Sequence, residues 1–169
     1  MHHKYQKGMG LAEVLVALIL ISVGLLGFVA MQLKATQTSM NNLNKLKATI
    51  IAVDFSEKVR TNPLQRDAYL TAMATPAAQK AGQSINCNTK FCSASDKAKA
   101  DVYQTFVTAD NNGMTMALSN CPITTSRNCL FISWDKTTPT NGGNQGCTVE
   151  SNSKMSYRDG ASCIVMETY

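Results

Sequence analysis

Cys87, Cys92, Cys121, Cys129, Cys147 and Cys163 are the six cysteines of a 169-residue chain. Thiols could bind a metal, cycle electrons or close disulfides. No pair reads C-x-x-C, and the two histidines are His2 and His3, at the extreme N-terminus. A zinc centre or a thioredoxin-type site is therefore not expected, and no metal or cofactor is assigned. The same histidines are badly placed for a Ser-His-Asp hydrolase, which needs an imidazole base in a folded site. No pair of carboxylates stands out either, so an enzyme is the least expected class. Disulfides remain, provided the compartment is oxidising. Proximity favours Cys87–Cys92, Cys121–Cys129 and Cys147–Cys163, each closing a short loop. A crossed pair such as Cys92–Cys121 is the rival.

Glu13 is the other residue that demands a chemical reason. It stands at the front edge of an apolar block, Val14 to Met31, in which Ser22 is the only polar side chain. Eighteen such residues meet the lower bound for a bilayer-spanning helix. The block could alternatively be a buried core helix, but helices apolar on all sides are rare outside membranes. Gly24 and Gly27 would weaken a soluble helix yet permit close helix approach in a packed bundle. A carboxylate in the bilayer centre costs roughly 2.5–3.5 kcal/mol and marks a functional candidate. In the headgroup zone it would only open the helix and favour its positive dipole end. Residue physics leaves these two roles level.

The elements that position these residues follow from the surrounding pattern. The start, MHHKYQKG, carries Lys4 and Lys7, which hold the N-terminus in the cytoplasm and send the rest outward. No convincing small-residue signal cleavage site follows the block, and no cysteine lies near it for lipid attachment. The cysteines then all lie in the oxidising compartment. Beyond the block, Met40, Leu43, Leu46, Ile50 and Val53 recur at three or four residues, one stripe expected to lie on a head. A helix from about Met9 to about Thr61 would run roughly 80 Å, and Asn62-Pro63 ends it.

The head, 63–169, is expected to be a small antiparallel sheet packed on the second half of that helix, an α+β arrangement. Leu64 to Lys90 reads as loop with a short helix. Asp96 caps a helix through about Ala109, with a strand over Val102–Thr108 as the alternative. Asn111-Asn112-Gly113 is a turn. Met114–Leu118, Cys129–Trp134 and Cys163–Thr168 read as strands, and Thr137–Gly146 as a flexible loop. Such a head has a modest core, so covalent staples matter.

Lys7-Gly8-Met9-Gly10-Leu11-Ala12-Glu13-Val14 resembles the processing site of type IV pilins and pseudopilins. That family has a short basic leader ending in Gly, an apolar first mature residue, Glu at the fifth mature position and then an apolar helix. Gly8, Met9 and Glu13 fill those places. Met9 stands where Phe is commonest, and Leu11-Ala12 where Leu-Ile usually precedes the Glu. The resemblance implies removal of 1–8 by prepilin peptidase, N-methylation of Met9, and pairing of Glu13 with the amine of a neighbouring subunit. A buried charge is tolerable when paired and costly alone. It implies a helix over 9–31 that spans the inner membrane and later joins a filament core, with 32–62 its amphipathic continuation. A pilin-like fold follows, with a disulfide-stapled head.

Ala52 to Pro63 (AVDFSEKVRTNP), closing in Arg60-x-Asn62-Pro63, is similar to the end of the long helix in PilV-type minor pilins. Ala30 occupies the position where major pilins usually carry a proline, which leans away from a major subunit. The resemblance implies a minor pilin of a type IV pilus priming or tip complex, supporting adhesion and twitching motility. Its partners would be other minor pilins, the major pilin and the inner-membrane assembly machinery. The head would be periplasmic before assembly and on the pilus, at its tip, after. A minor pseudopilin of type II secretion is the alternative, and an unprocessed single-span periplasmic binding module a more distant one. The chain is +5, with 16 basic and 11 acidic residues. Loss of Lys4 and Lys7 leaves 14 basic against 11 acidic, +3. No aromatic-and-basic stripe emerges, so no nucleic-acid partner is expected.

Overall fold

The computed structural model describes residues 10–124, 126–151 and 154–168. The leader residues, with Lys4, Lys7, Gly8 and Met9, lie outside them. The chain divides into two compact units between Asn41 and Asn42. One helix, α1 (Leu11–Arg60), supplies all the secondary structure described in the first unit and the opening element of the second. In the first unit its apolar side chains are exposed on every side. Ser22 donates back to the Leu18 carbonyl at 2.7 Å, so the one hydroxyl in the apolar run is satisfied within the helix.

The second unit begins with the rest of α1. The chain leaves α1 through a 3-10 turn at Pro63–Gln65, where proline cannot continue the helix but suits a first turn. Two short helices follow, α2 (Arg66–Met73) and α3 (Pro76–Gln79). The stretch expected to be mostly loop is thus more helical than its Ala, Gln and Thr content suggested. Thr75 caps α3 by accepting from the Ala78 N–H. Buried Gln79 donates to the carbonyls of Met73 and Met116, tying α3 to the sheet.

The open choice over 97–109 resolves as helix, α4 (Ala94–Asn111). Its cap is Ser93 rather than Asp96: the Ser93 hydroxyl accepts from the Asp96 N–H at 3.1 Å and donates to the Asp96 carboxylate at 2.8 Å. The Ser93 side chain thus acts as an N-cap that meets Asp96 twice, at its N–H and at its carboxylate. Gly113, at φ 67°, ends α4 in the left-handed geometry that glycine adopts without cost.

Two three-stranded sheets complete the unit among the described residues. The expected antiparallel sheet has the order β1 (Met114–Asn120), β2 (Asn128–Trp134), β6 (Cys163–Thr168). Every residue of β2 is buried. Leu130, Ile132 and Trp134 join a core with Phe55, Val59, Tyr69, Val102, Met114 and Met116. Cys129 and Phe131, on the other face by period-two alternation, join Cys121, Cys147 and Cys163 in a second cluster.

A second sheet was not anticipated. β3 (Thr138–Asn141) pairs parallel to β4 (Gly146–Ser151), and β4 pairs antiparallel to β5 (Lys154–Tyr157). The segment expected to be a flexible loop therefore holds β3. Thr138 engages the Gln145 carbonyl through both its N–H and its hydroxyl. Gly142 and Gly143, at φ 77° and 74°, make the turn. A Cβ on Gly146 would collide with the Gly142 carbonyl. Arg158 donates to the carbonyls of Gly143 and Gly146, fixing the turn from outside.

Candidate functional site

Glu13 lies in the first turn of α1, its N–H bonded to the Gly10 carbonyl at 3.0 Å. Its side chain is exposed, and no cation pairs with it among the described residues. Around and behind it stand Leu11, Val14 and a charge-free run to Leu33, all exposed. A Cβ on Gly24 or Gly27 would meet nothing within 4 Å, so packing inside the chain does not require glycine at either place. The first unit thus offers an unpartnered apolar helix with one acid at its front.

In the second unit α1 is apolar on two roughly opposite faces. Ala48, Ile51, Ala52, Phe55 and Val59 are buried against the head. Leu43, Leu46, Ile50 and Val53 are exposed, Ile50 at 60%. This corrects the expectation that their stripe lies on the head; Met40, in the first unit, is exposed as well. The physical reason is close approach. Ala48 and Ala52 let the backbone of α1 come close to the head while Ile51, Phe55 and Val59 fill the core beside them, and the stripe on the opposite side of the helix is left outward.

The end of α1 is held by its own motif. Asn62 donates its side-chain amide to the Ala94 carbonyl at 2.8 Å, joining the end of α1 to the start of α4. Pro63 opens the 3-10 turn, and Arg60 pairs with Glu57 at 2.7 Å on the exposed face. Lys58 pairs with Asp54 at 2.7 Å. Beneath them the Tyr69 hydroxyl, wholly buried, donates to Asp101 Oδ2 at 2.7 Å and lies 3.2 Å from the Lys58 carbonyl. Burial, then the hydrogen bond and charge of Asp101, push the Tyr69 phenol well above the usual tyrosine range. Sequence reasoning did not single out this pair, and nothing in the local pattern marks it. Arg60-x-Asn62-Pro63 is thus a structural joint, with no arrangement resembling an active site.

Two family models match the chain. The prokaryotic N-terminal methylation motif covers residues 3–29, and type IV pilin Tt1218 covers residues 30–103. The chain is a type IV pilin. No curated protein and no solved structure matches it.

Membership of this family, with the methylation motif, implies processing by prepilin peptidase and assembly with other pilins. Pilin domains are structural rather than enzymatic, and an apolar N-terminal helix fits inner-membrane anchoring and incorporation into a pilus. The pilin's cysteines pair as Cys87–Cys92, Cys121–Cys129 and Cys147–Cys163, the order that proximity favoured. Cys92–Cys121 is not formed. Cys121–Cys129 closes the β1–β2 connection, and Cys147–Cys163 links β4 of one sheet to β6 of the other. No group of His, Cys, Asp and Glu in the pilin could hold a metal among the described residues.

Proposed function

We propose that this pilin is a minor, PilV-like subunit that joins a priming or tip complex and promotes pilus assembly. Adhesion and twitching motility would depend on it indirectly. The observation that carries the reading is the exposed apolar first part of α1, with Glu13 in its first turn and without a cation partner among the described residues. Cleavage after Gly8 frees the amine of Met9, which is then methylated. The carboxylate of Glu13 is costly in lipid until the amine of another subunit pairs with it, which favours docking into a helical bundle. Gly24 and Gly27 then allow neighbouring helices to approach. The head stays periplasmic before assembly and is carried out on the pilus afterwards. An α1 unbroken at Ala30 and the Arg60-x-Asn62-Pro63 joint support a minor subunit over a major one.

The test is mass spectrometry of the N-terminal peptide from membranes with and without prepilin peptidase, paired with counts of surface pili. The expected chain starts at methylated Met9 only when the peptidase is present. Deletion of the gene lowers piliation, and Glu13→Ala does so without loss of the protein. Normal piliation in the deletion strain, with processing intact, would remove the priming role and leave the pseudopilin reading in front.

A further inference from the structure

A cleft of about 640 Å³ opens in the second unit between α4, the loop over 82–88 and the Lys58 side chain. That volume is within the range that holds a small ligand. Its lining combines a buried acceptor, amides on facing walls, an apolar patch and two cations.

The acceptor is Asp101, 6% exposed. Its Oδ2 is taken by the Tyr69 hydroxyl at 2.7 Å, which fixes the carboxylate in place. Its Oδ1 has a looser partner, Lys97 Nζ at 3.4 Å, on a side chain that is half exposed. That oxygen retains capacity for a ligand donor. Gln104 stands one turn along α4, while Asn86 and Asn88 stand on the opposing loop. Each amide offers both a donor and an acceptor, the pairing that adjacent hydroxyl groups need. Tyr103 and Val107 contribute apolar surface between them.

The loop wall is held firmly. Gly82 packs so closely on α4 that a Cβ there would collide with the Lys99 carbonyl and come within 2.9 Å of Tyr103 Cβ. The Cys87–Cys92 bond closes the loop beyond it, and the Asn88 N–H donates to Asn86 Oδ1 at 3.0 Å. A wall set before binding lowers the ordering cost of a weak polar ligand.

Charge narrows the ligand. Lys58 and Lys97 outnumber Asp101, which disfavours a cation. Lys58 is held at 2.7 Å by Asp54, whereas Lys97 has only the 3.4 Å contact to Asp101 and a half-exposed side chain, so Lys97 is the more loosely held cation of the two. A phosphate dianion driven to the floor would meet Asp101. A ligand that places hydroxyls at the floor and a single carboxylate at the rim satisfies all three groups. We propose that this cleft binds an acidic saccharide, with Asp101, Gln104 and the Asn86 wall taking its hydroxyls and Lys97 its carboxylate. The proposal depends only on the second unit and is independent of the assembly role.

The test probes a glycan array of hexuronate, sialyl and neutral oligosaccharides with the tagged full chain in non-sugar detergent micelles. The strongest acidic binder, and its uncharged methyl ester, are then titrated by calorimetry. Gln104→Ala is expected to weaken both by about five-fold, the loss of one neutral hydrogen bond. Lys97→Ala is expected to abolish the preference for the acid over the ester. Both side chains are exposed, and unchanged thermal unfolding verifies that the variants fold. Absence of saturable binding to any acidic glycan overturns the proposal, as does binding that both variants leave intact. Occupation of the cleft by a segment of another pilin would give the first of those results.

Discussion

Tyr69 and Asp101 form a buried polar pair at the edge of the main hydrophobic core. A buried carboxylate is costly unless its lone pairs are met. Tyr69 meets one oxygen and also sets its ring edge-on to Phe55, with centroids 5.8 Å apart. Tyr69→Phe keeps the ring and removes the donor. It is expected to destabilise the head by about 1–3 kcal/mol, the cost of an unmet buried acceptor. Denaturant unfolding of the micelle-held chain reads this directly. The pH dependence has a defined sign. The unfolded phenol ionises near ~10, and the folded one only above that, because burial and Asp101 raise it. Tyr69 therefore contributes stability below about pH 10 that is lost as pH rises further. The alkaline loss should be smaller in Tyr69→Phe; an identical alkaline slope in both proteins would contradict the assignment.

At the scale of the element, α1 in the second unit has two apolar faces with different duties. The face of Ala48, Ala52 and Phe55 is closed within the chain, and that of Leu46 and Ile50 is open. Phe55→Ala should cost about 3–5 kcal/mol as a large-to-small core change. Ile50→Asn should change unfolding free energy by only ~0.5 kcal/mol, because the side chain is exposed. The same substitution should reduce incorporation into pili, measured as the ratio of pilus-associated to membrane-associated protein. Wild-type incorporation by Ile50→Asn would mean that the open face has no partner. The periodicity of α1 was legible in the sequence, but periodicity does not say which of two apolar faces meets the head. Recurrence marked the stripe of Leu43, Leu46, Ile50 and Val53; the head packed on the face of Ala48, Ile51, Ala52, Phe55 and Val59.

The whole second unit relies on covalent links where its core is thin. Cys147–Cys163 joins the two sheets, and the second sheet has few buried side chains of its own. Its loop is the longest of the three, with a separation of 16 residues against 8 and 5. The chain-entropy account gives ~3 kcal/mol for it and ~2–2.5 kcal/mol for each of the others. Removing the pair as Cys147→Ser with Cys163→Ser should lower thermal stability most. Hydrogen exchange should show the loss spreading through β3, β4 and β5 before β1 and β2. Equal loss across both sheets would show that the bond supports the unit as a whole instead of pinning one sheet to the other.

Sequence alone determined the elements whose signal is local. The charge-free run after Glu13, the stop at Asn62-Pro63, the three strands of the antiparallel sheet and the short-loop pairing of the cysteines could each be read from neighbouring residues. So could the family, because Gly8, Met9 and Glu13 lie within six positions of one another. The tertiary structure decided what local patterns leave degenerate. It selected the buried face of α1, and it held 94–111 as helix by burying Ala98, Val102 and Ala109 in the core. It made a strand of Thr138–Asn141 by supplying β4 and the Arg158 clamp. It also brought Lys58, Asp101 and the Cys87–Cys92 loop around one cleft, with Tyr69 buried behind Asp101. These residues are far apart in the chain, and only packing brings them into contact.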